Sequence, residues 1–80
     1  MVYIKEKPKT RNIYTIVGKN IQKFRKQKGL TGEKLAELCN LSYGYIKNLE
    51  SSKVRATISI ETLKLIADKL EIKLGDFFEE

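Results

Sequence analysis

The stretch from Thr31 to Leu49 contains two short helical patterns only a few residues apart, and this spacing constrains the fold more than any other feature. Thr31 and Ser42 are residue types that cap the first turn of a helix with a side-chain oxygen. Asn40, between them, tolerates the left-handed backbone conformation that an abrupt turn requires. The sequence therefore predicts two helices joined by a turn of about three to four residues.

The side chains around this turn have the sizes that a closely packed helix pair requires. Ala36 is small enough for the second helix to approach the first, and Leu35 with Leu38 gives the buried edge of the first helix. Leu41 and Ile46 occupy the two positions of a hydrophobic staple, which fixes the direction in which the second helix leaves the turn. We expect these apolar side chains to fill the angle between the helices.

Further helical patterns flank the pair on both sides. Before it, an apolar stripe runs as far as the aliphatic stem of Lys28, and Gly29 offers the left-handed residue that closes a helix. After it, Ser59 caps a fourth helix, and a short fifth turn follows. Because no strand alternation is sustained, the prediction is a compact all-α domain of five helices with a helix-turn-helix at helices 2 and 3. The apolar residues of these flanking elements are Val17, Ile21 and Phe24, then Ile60, Leu63, Ile66, Ala67 and Leu70, and finally Leu74, Phe77 and Phe78.

The first part of the chain differs from the rest in charge and pattern. Residues 1–13 include Pro8 and show no helical or strand periodicity, so we interpret them as a basic N-terminal arm before a domain at residues 14–80. Residues 1–30 carry nine Lys or Arg and one acid, a net charge of +8, whereas residues 31–80 have a net charge of −2. This asymmetry favours a partner rich in phosphate, and a lysine-rich solubilising surface is the alternative.

Taken together, these spacings resemble those of Cro and the phage repressors, the xenobiotic-response-element (XRE) family of helix-turn-helix DNA-binding proteins. The resemblance covers residues 16–78 and implies the lambda-repressor-like fold. Two residues depart from the family pattern: Gly32 stands where the family usually has a glutamine that contacts phosphate, and Asn40 replaces the usual glycine of the turn. The matching residues are Arg25, Gly29, Leu30, Thr31, Leu35, Ala36, Leu41, Ser42, Tyr45, Ile46, Leu49, Glu50, Ser59, Glu61, Thr62, Leu63, Ile66 and Ala67.

The resemblance assigns base contact to the outward face at the start of the third helix. The residues there are Tyr43, Gly44, Lys47 and Asn48. Their chemistry fits the major groove, because Asn pairs bidentately with adenine and Lys donates to O6 and N7 of guanine. A tyrosine ring contacts a thymine methyl group, and a glycine lets the helix lie deep in the groove. For any one of these residues taken alone, an ordinary solvent-exposed position is the alternative.

Phosphate contacts are expected at helix starts and in the loop after the third helix. Thr31 and Ser42 offer hydroxyl groups beside helix N termini, where backbone amides also face outward. Lys53 and Arg55 offer positive charge from the loop. Such contacts position a protein on DNA without specifying sequence.

The N-terminal arm offers a separate set of contacts. Lys7, Lys9 and Arg11 are candidates for contact in a groove of DNA, as basic arms sometimes provide. The alternative is a tail that contributes only non-specific charge.

Four residues near the predicted interface are assigned structural roles. By the family's geometry, Arg25 lies beside Glu50 as an ion pair that ties the first helix to the end of the third. Tyr45 is expected to pack against the core or the phosphates and not to read bases. Cys39 is expected to be a small core filler, with a redox sensor as the alternative.

Composition and motifs argue against several classes of function. The chain has no histidine and one cysteine, so we expect neither an internal disulfide nor a zinc site with the usual ligands. It has no Gly-rich phosphate loop and no nucleophile with a neighbouring base, so we expect no enzyme activity, no cofactor and no small-molecule ligand. No apolar run is long enough to span a bilayer and no secretory signal is visible, so we expect a cytoplasmic protein without membrane contact.

The number of base pairs that one small domain can read predicts its oligomeric state. Useful specificity requires two copies on a pseudo-palindromic site, because one domain reads only a few base pairs. We therefore expect a homodimer formed through Leu74, Phe77 and Phe78. The predicted function is a stand-alone transcriptional repressor that binds double-stranded DNA sequence-specifically. The alternative is an antitoxin or protein-interaction adaptor, in which the third helix of the same fold meets protein.

Overall fold

Helices form all the regular secondary structure in residues 12–51, 53 and 56–80, the part of the chain that the computed structural model describes. This confirms the predicted all-α class. The fifth element is a 3-10 helix of five residues and not an α-helix. The helices in chain order are α1 (Ile13–Gln27), α2 (Gly32–Cys39), α3 (Tyr43–Glu50), α4 (Ile60–Leu70) and the C-terminal 3-10 helix (Leu74–Phe78).

Each α-helix begins at a polar side chain that accepts a backbone N–H from its first turn. Thr31 Oγ1 accepts from the amide of Lys34 at 3.0 Å, which caps α2. Ser42 and Ser59 cap α3 and α4 in the same way, as the sequence predicts. Asn12 caps α1 and Ile13 begins it, although the sequence interpretation placed both residues in the arm. Residues 1–11 of the proposed arm lie outside the described residues.

Left-handed residues end three of the α-helices. Gly29 (φ 74°) and Asn40 (φ 58°) close α1 and α2, as the sequence predicts. The amide of Leu41 then donates to the carbonyl of Ala36 at 2.8 Å, which turns the chain sharply into α3. Glu71 (φ 61°) closes α4 in the same conformation, although glutamate rarely adopts it. The turn of the helix pair is therefore set by Asn40, the residue that replaces the family's glycine.

A single apolar core draws side chains from all five helices. Phe77 is fully buried, and its ring meets the ring of Phe24 edge to face with the centroids 6.2 Å apart. The prediction that Phe77 contributes to a dimer interface is therefore wrong, because the core of the monomer already covers it. The buried apolar residues are Ile16, Val17, Ile21, Leu35, Ala36, Cys39, Ile46, Leu49, Leu63, Ile66, Ala67, Leu70 and Phe77.

Three residues predicted to face the core are exposed. Leu38 is 40% exposed because α2 turns Leu35, Ala36 and Cys39 towards the core and Leu38 lies on its flank. Ile60 is 69% exposed in the first turn of α4, at the edge of its buried arc. Lys28 is also exposed, and its ammonium group binds the carboxylate of Glu71.

A buried asparagine holds the C-terminal segment against α1. The carboxamide nitrogen of Asn20 donates to the carbonyl oxygens of Phe77 and Glu79, both at 2.7 Å. These two bonds satisfy both donors of a side chain that is otherwise buried among apolar groups. Because α1 packs on α3 and also on the 3-10 helix, it buries a wider arc than the predicted apolar stripe.

Candidate nucleic-acid interface

The α2–α3 pair presents one face of α3 to solvent. Ile46 and Leu49 point into the core. All four residues predicted to contact bases are exposed and share the opposite arc of the helix. This brings a ring, an ammonium group and a carboxamide together on one short surface, at a helix that is eight residues long. The four residues are Tyr43, Gly44, Lys47 and Asn48.

A buried ion pair fixes the C-terminal end of α3. Arg25 Nε donates to Glu50 Oε2 at 2.7 Å, and its Nη2 donates to Oε1 at 2.8 Å. The remaining nitrogen, Nη1, donates to the carbonyl of Leu30 at 2.8 Å. About nine-tenths of each side chain is buried. The bond to Glu50 raises the pKa of Arg25 above its ordinary value, so the guanidinium keeps its charge while it joins α1, the α1–α2 turn and α3.

A cleft lies between the start of α2, the exposed face of α3 and α1. Its volume is 320 Å³, and Gln22 and Arg25 line it from α1. Gly32 and Tyr43 line it from the starts of α2 and α3, and Ser51 lines it from the end of α3. The sequence interpretation did not assign Gln22 or Ser51 to the interface. The packing of α1 beside α3 brings Gln22 there, and Ser51 directly follows α3.

The residues predicted to bind phosphate are only partly described. Thr31 and Ser42 are exposed, and each hydroxyl oxygen accepts a helix N–H, so its proton remains free to donate to a phosphate oxygen. Lys53 is exposed, and its amide donates to Ser51 Oγ at 3.1 Å. Arg55 in the loop, and Lys7, Lys9 and Arg11 in the arm, lie outside the described residues.

Tyr45 and Cys39 take part in packing. Tyr45 is half-buried against the core, and its hydroxyl donates to the carbonyl of Thr57 at 3.3 Å. Burial raises the pKa of Tyr45 and of the Cys39 thiol above their ordinary values. A buried thiol with a raised pKa has little thiolate at neutral pH, which disfavours redox reactivity.

Over residues 12–51, 53 and 56–80, no three Cys, Asp or Glu side chains come together in a way that could hold a metal ion. In the same ranges, none of the helices combines the length and the apolar character needed to cross a bilayer.

The fold and this exposed helix define a helix-turn-helix domain of the DNA-binding, transcription-regulator class. The model of the helix-turn-helix family HTH_3 matches residues 21–77 of this chain. The chain belongs to this family, which is of the XRE type. The resemblance found in the sequence is thereby confirmed.

Known relatives support the same class. The chain is 35% identical over 63 residues to the HTH-type transcriptional regulator PuuR of Escherichia coli K12, a match that covers 79% of this chain and 33% of PuuR. The chain thus spans about a third of the length of the curated relatives it matches.

Solved structures with the same fold include two regulators. The clp gene regulator ClgR of C. glutamicum is 28% identical with a TM-score of 0.77, over 85% of this chain and 86% of that one. The restriction-modification controller protein C.AhdI of Aeromonas hydrophila is 26% identical with a TM-score of 0.74, over 81% of this chain and 96% of that one.

Proposed function

We propose that this chain binds duplex DNA sequence-specifically and regulates transcription, with the start of α3 lying in the major groove. The observation that carries the proposal is the exposed set Tyr43, Gly44, Lys47 and Asn48 on a helix whose inner face is locked into the core. A rigid helix that offers an amide and an ammonium group side by side suits the donors and acceptors of base edges.

The roles within this surface follow from side-chain chemistry. Asn48 would pair with adenine, Lys47 would donate to guanine, and the Tyr43 ring would meet a thymine methyl group. Around Gly44, a Cβ atom would meet nothing within 4 Å, so packing inside the protein does not require a glycine there. We therefore propose that Gly44 allows close approach of the helix to the floor of the groove.

Positively charged and hydroxyl groups around α3 would bind the phosphates. Thr31 and Ser42 each retain a free hydroxyl proton at a helix N terminus, where the positive end of the helix dipole also attracts anions. Lys53 supplies charge beyond the end of α3. The phosphate contact proposed for Arg55 and the groove contacts proposed for Lys7, Lys9 and Arg11 rest on the sequence alone.

We also propose that the chain acts as a homodimer on a pseudo-palindromic operator. Phe78 is 42% exposed, and it lines an apolar groove with Ile13, Tyr14 and Ile60. These four make up most of the exposed large apolar side chains in the described part of the chain. A two-fold dimer brings the same patch of both copies together, so an apolar groove can serve both sides of the interface. Half-buried Leu74 remains part of the proposed interface, whereas fully buried Phe77 does not.

Sedimentation velocity of the free and DNA-bound protein tests the dimer. Phe78→Ser should shift the free protein towards the monomer. Leu38→Ser is the matched control, because Leu38 is exposed to a similar degree on a different surface. Monomers alone, both free and on DNA, would remove the dimer from the proposal.

An unbiased selection of bound duplexes from a random library tests the function itself. The proposal predicts an enriched motif made of two inverted half-sites about 10 base pairs apart, the spacing of one helical turn. Repressor action would then follow where such a site overlaps a promoter. A library that shows no enrichment at any salt concentration would favour the alternative, an antitoxin or adaptor that uses this face to meet protein.

A further inference from the structure

Gly32, the first residue of α2, faces Tyr43, the first residue of α3. A Cβ atom on Gly32 would lie 3.0 Å from Cε1 and 3.6 Å from Cδ1 of Tyr43, and 4.0 Å from Cγ2 of Ile46. The first of these distances is tighter than ordinary van der Waals contact. A methyl group on residue 32 would therefore press on the edge of the Tyr43 ring, so the present position of the ring depends on the absence of a side chain at residue 32.

The reason for this glycine is space and not backbone conformation. Gly29 is the one glycine of the chain with a positive φ, and no atom lies near its missing Cβ. Gly44 and Gly75 also have nothing within 4 Å, and the close neighbour of Gly18 is backbone. Gly32 is thus the glycine whose missing side chain makes room for a residue of the proposed base-contact surface.

We infer that Gly32 is a positioning residue that sets the orientation in which Tyr43 meets DNA. This inference rests on the proposed function. The Cδ1–Cε1 edge of the ring lies beside Gly32, and Tyr43 is still 47% exposed, which leaves part of the ring free to contact a base. A ring held in one orientation before binding loses less conformational freedom on the DNA.

The substitution Gly32→Ala should move the ring without breaking the fold. Tyr43 lies at the surface in the first turn of α3, so its ring can swing outward by the few tenths of an ångström that a methyl group requires. The ring would then leave the position from which it contacts a thymine methyl group. Preference for one base pair should fall, while preference at the position read by Asn48 should not change.

A double-mutant cycle on single-base-pair variants of the selected duplex tests the inference. Gly32→Ala should reduce discrimination at one base pair by about 3-fold, which is less than the loss of a bidentate hydrogen-bonded pair would give. With Tyr43→Ala already present, the same substitution should change discrimination by less than about 2-fold. Equal effects of Gly32→Ala in both backgrounds would overturn the inference. Gly75→Ala is the matched control, because a Cβ there meets no neighbour.

An NMR measurement on the free protein separates this inference from the proposed function. Nuclear Overhauser contacts should connect the Tyr43 ring protons with the Hα protons of Gly32, and Gly32→Ala should shift the Tyr43 ring resonances. Missing contacts in a protein that selects duplexes would overturn the inference alone. If the contacts are present but the protein selects no duplex, the proposed function is refuted, and so is the proposed contact of Tyr43 with a base.

Thermal unfolding covers the case in which Gly32→Ala folds poorly. The double variant Gly32→Ala/Tyr43→Ala removes the ring that the new methyl group meets, so it should regain the thermal midpoint of Tyr43→Ala. A double variant that stays as unstable as Gly32→Ala would show that the clash lies elsewhere and would overturn the inference.

Discussion

Gly18 of α1 touches the backbone of α3 at Leu49. A Cβ atom on Gly18 would lie 2.0 Å from the carbonyl oxygen of Leu49 and 3.2 Å from its carbonyl carbon. Real side chains do not approach a carbonyl oxygen so closely, and backbone cannot rotate away as a side-chain end can. The depth at which α3 packs on α1, and hence the placement of its exposed face, depends on this glycine.

Gly18→Ala should therefore destabilise the fold. We expect the free energy of unfolding to fall by about 1–3 kcal/mol, the range found for overpacked cores, or by more. Urea denaturation measures the loss, and Gly75→Ala serves as the control because its Cβ has open space. A Gly18→Ala protein as stable as the wild type would show that α1 and α3 lie too far apart for a Cβ atom on residue 18 to meet Leu49.

Arg25→Ala should also destabilise the protein, because it leaves the buried carboxylate of Glu50 and the carbonyl of Leu30 without a partner. Removing one member of a buried pair costs about 3–5 kcal/mol. The matched comparison is Lys64→Ala, which breaks the exposed Lys64–Asp68 pair and should cost at most about 1 kcal/mol. Similar urea midpoints for the two variants would contradict the structural role of Arg25.

Glu71→Gly should stabilise the protein at neutral pH. Glycine relieves the left-handed strain at Glu71, about 1–2 kcal/mol, whereas the ion pair with Lys28 is exposed to solvent and contributes less. The bond to Lys28 lowers the pKa of Glu71, so the stability it contributes is present above the ordinary pKa of a glutamate and is lost as the pH falls through the lowered pKa.

The advantage of Glu71→Gly over the wild type should thus grow as the pH is lowered from neutral. Glu71→Gln is the control, because it breaks the ion pair and keeps the strained backbone. If Glu71→Gly proves less stable than Glu71→Gln in urea at neutral pH, backbone strain is not the dominant effect at this position.

Gly44→Ala separates folding from binding on the proposed recognition surface. A glycine inside a helix costs about 0.5–1 kcal/mol relative to alanine, and the Cβ of alanine has open space here, so the variant should unfold at higher urea concentration. Its affinity for the selected duplex should fall, because the added methyl group points where the groove floor would lie. A variant that binds as tightly as the wild type would contradict the close approach proposed for Gly44.

Local signals in the sequence predicted the parts of the fold that depend on a few consecutive residues. Thr31 and Ser42 cap helices, and Gly29 and Asn40 close them, because a cap or a left-handed turn forms within one helical turn of its residue. The direction of α3, and so the exposure of its outer face, follows from these signals.

Contacts between distant segments could not be predicted in this way. Nothing near Gly18 or Gly32 indicates that another helix lies against it, and both contacts are visible only after the helices pack. The misplaced role of Phe77 has the same cause, since Asn20 lies 57 residues earlier and holds the carbonyl of Phe77 against α1. Glu71 was missed because its side chain gives no sign of a left-handed backbone.

In the proposed complex, α3 reads bases while neighbouring groups only hold phosphates, and a comparison of Asn48→Ala with Lys53→Ala distinguishes these two roles. Both residues are exposed, so both variants should keep the circular dichroism spectrum and urea midpoint of the wild type. Binding is then measured over a salt series on the selected duplex and on its single-base-pair variants.

Asn48→Ala should cost about 1–3 kcal/mol on the selected duplex and relax preference at one base pair. Lys53→Ala should weaken binding to every duplex by a similar factor and reduce the slope of log affinity against log salt by about one. Small and equal losses on every sequence from both variants would show a charged surface that reads no bases, and would contradict the account.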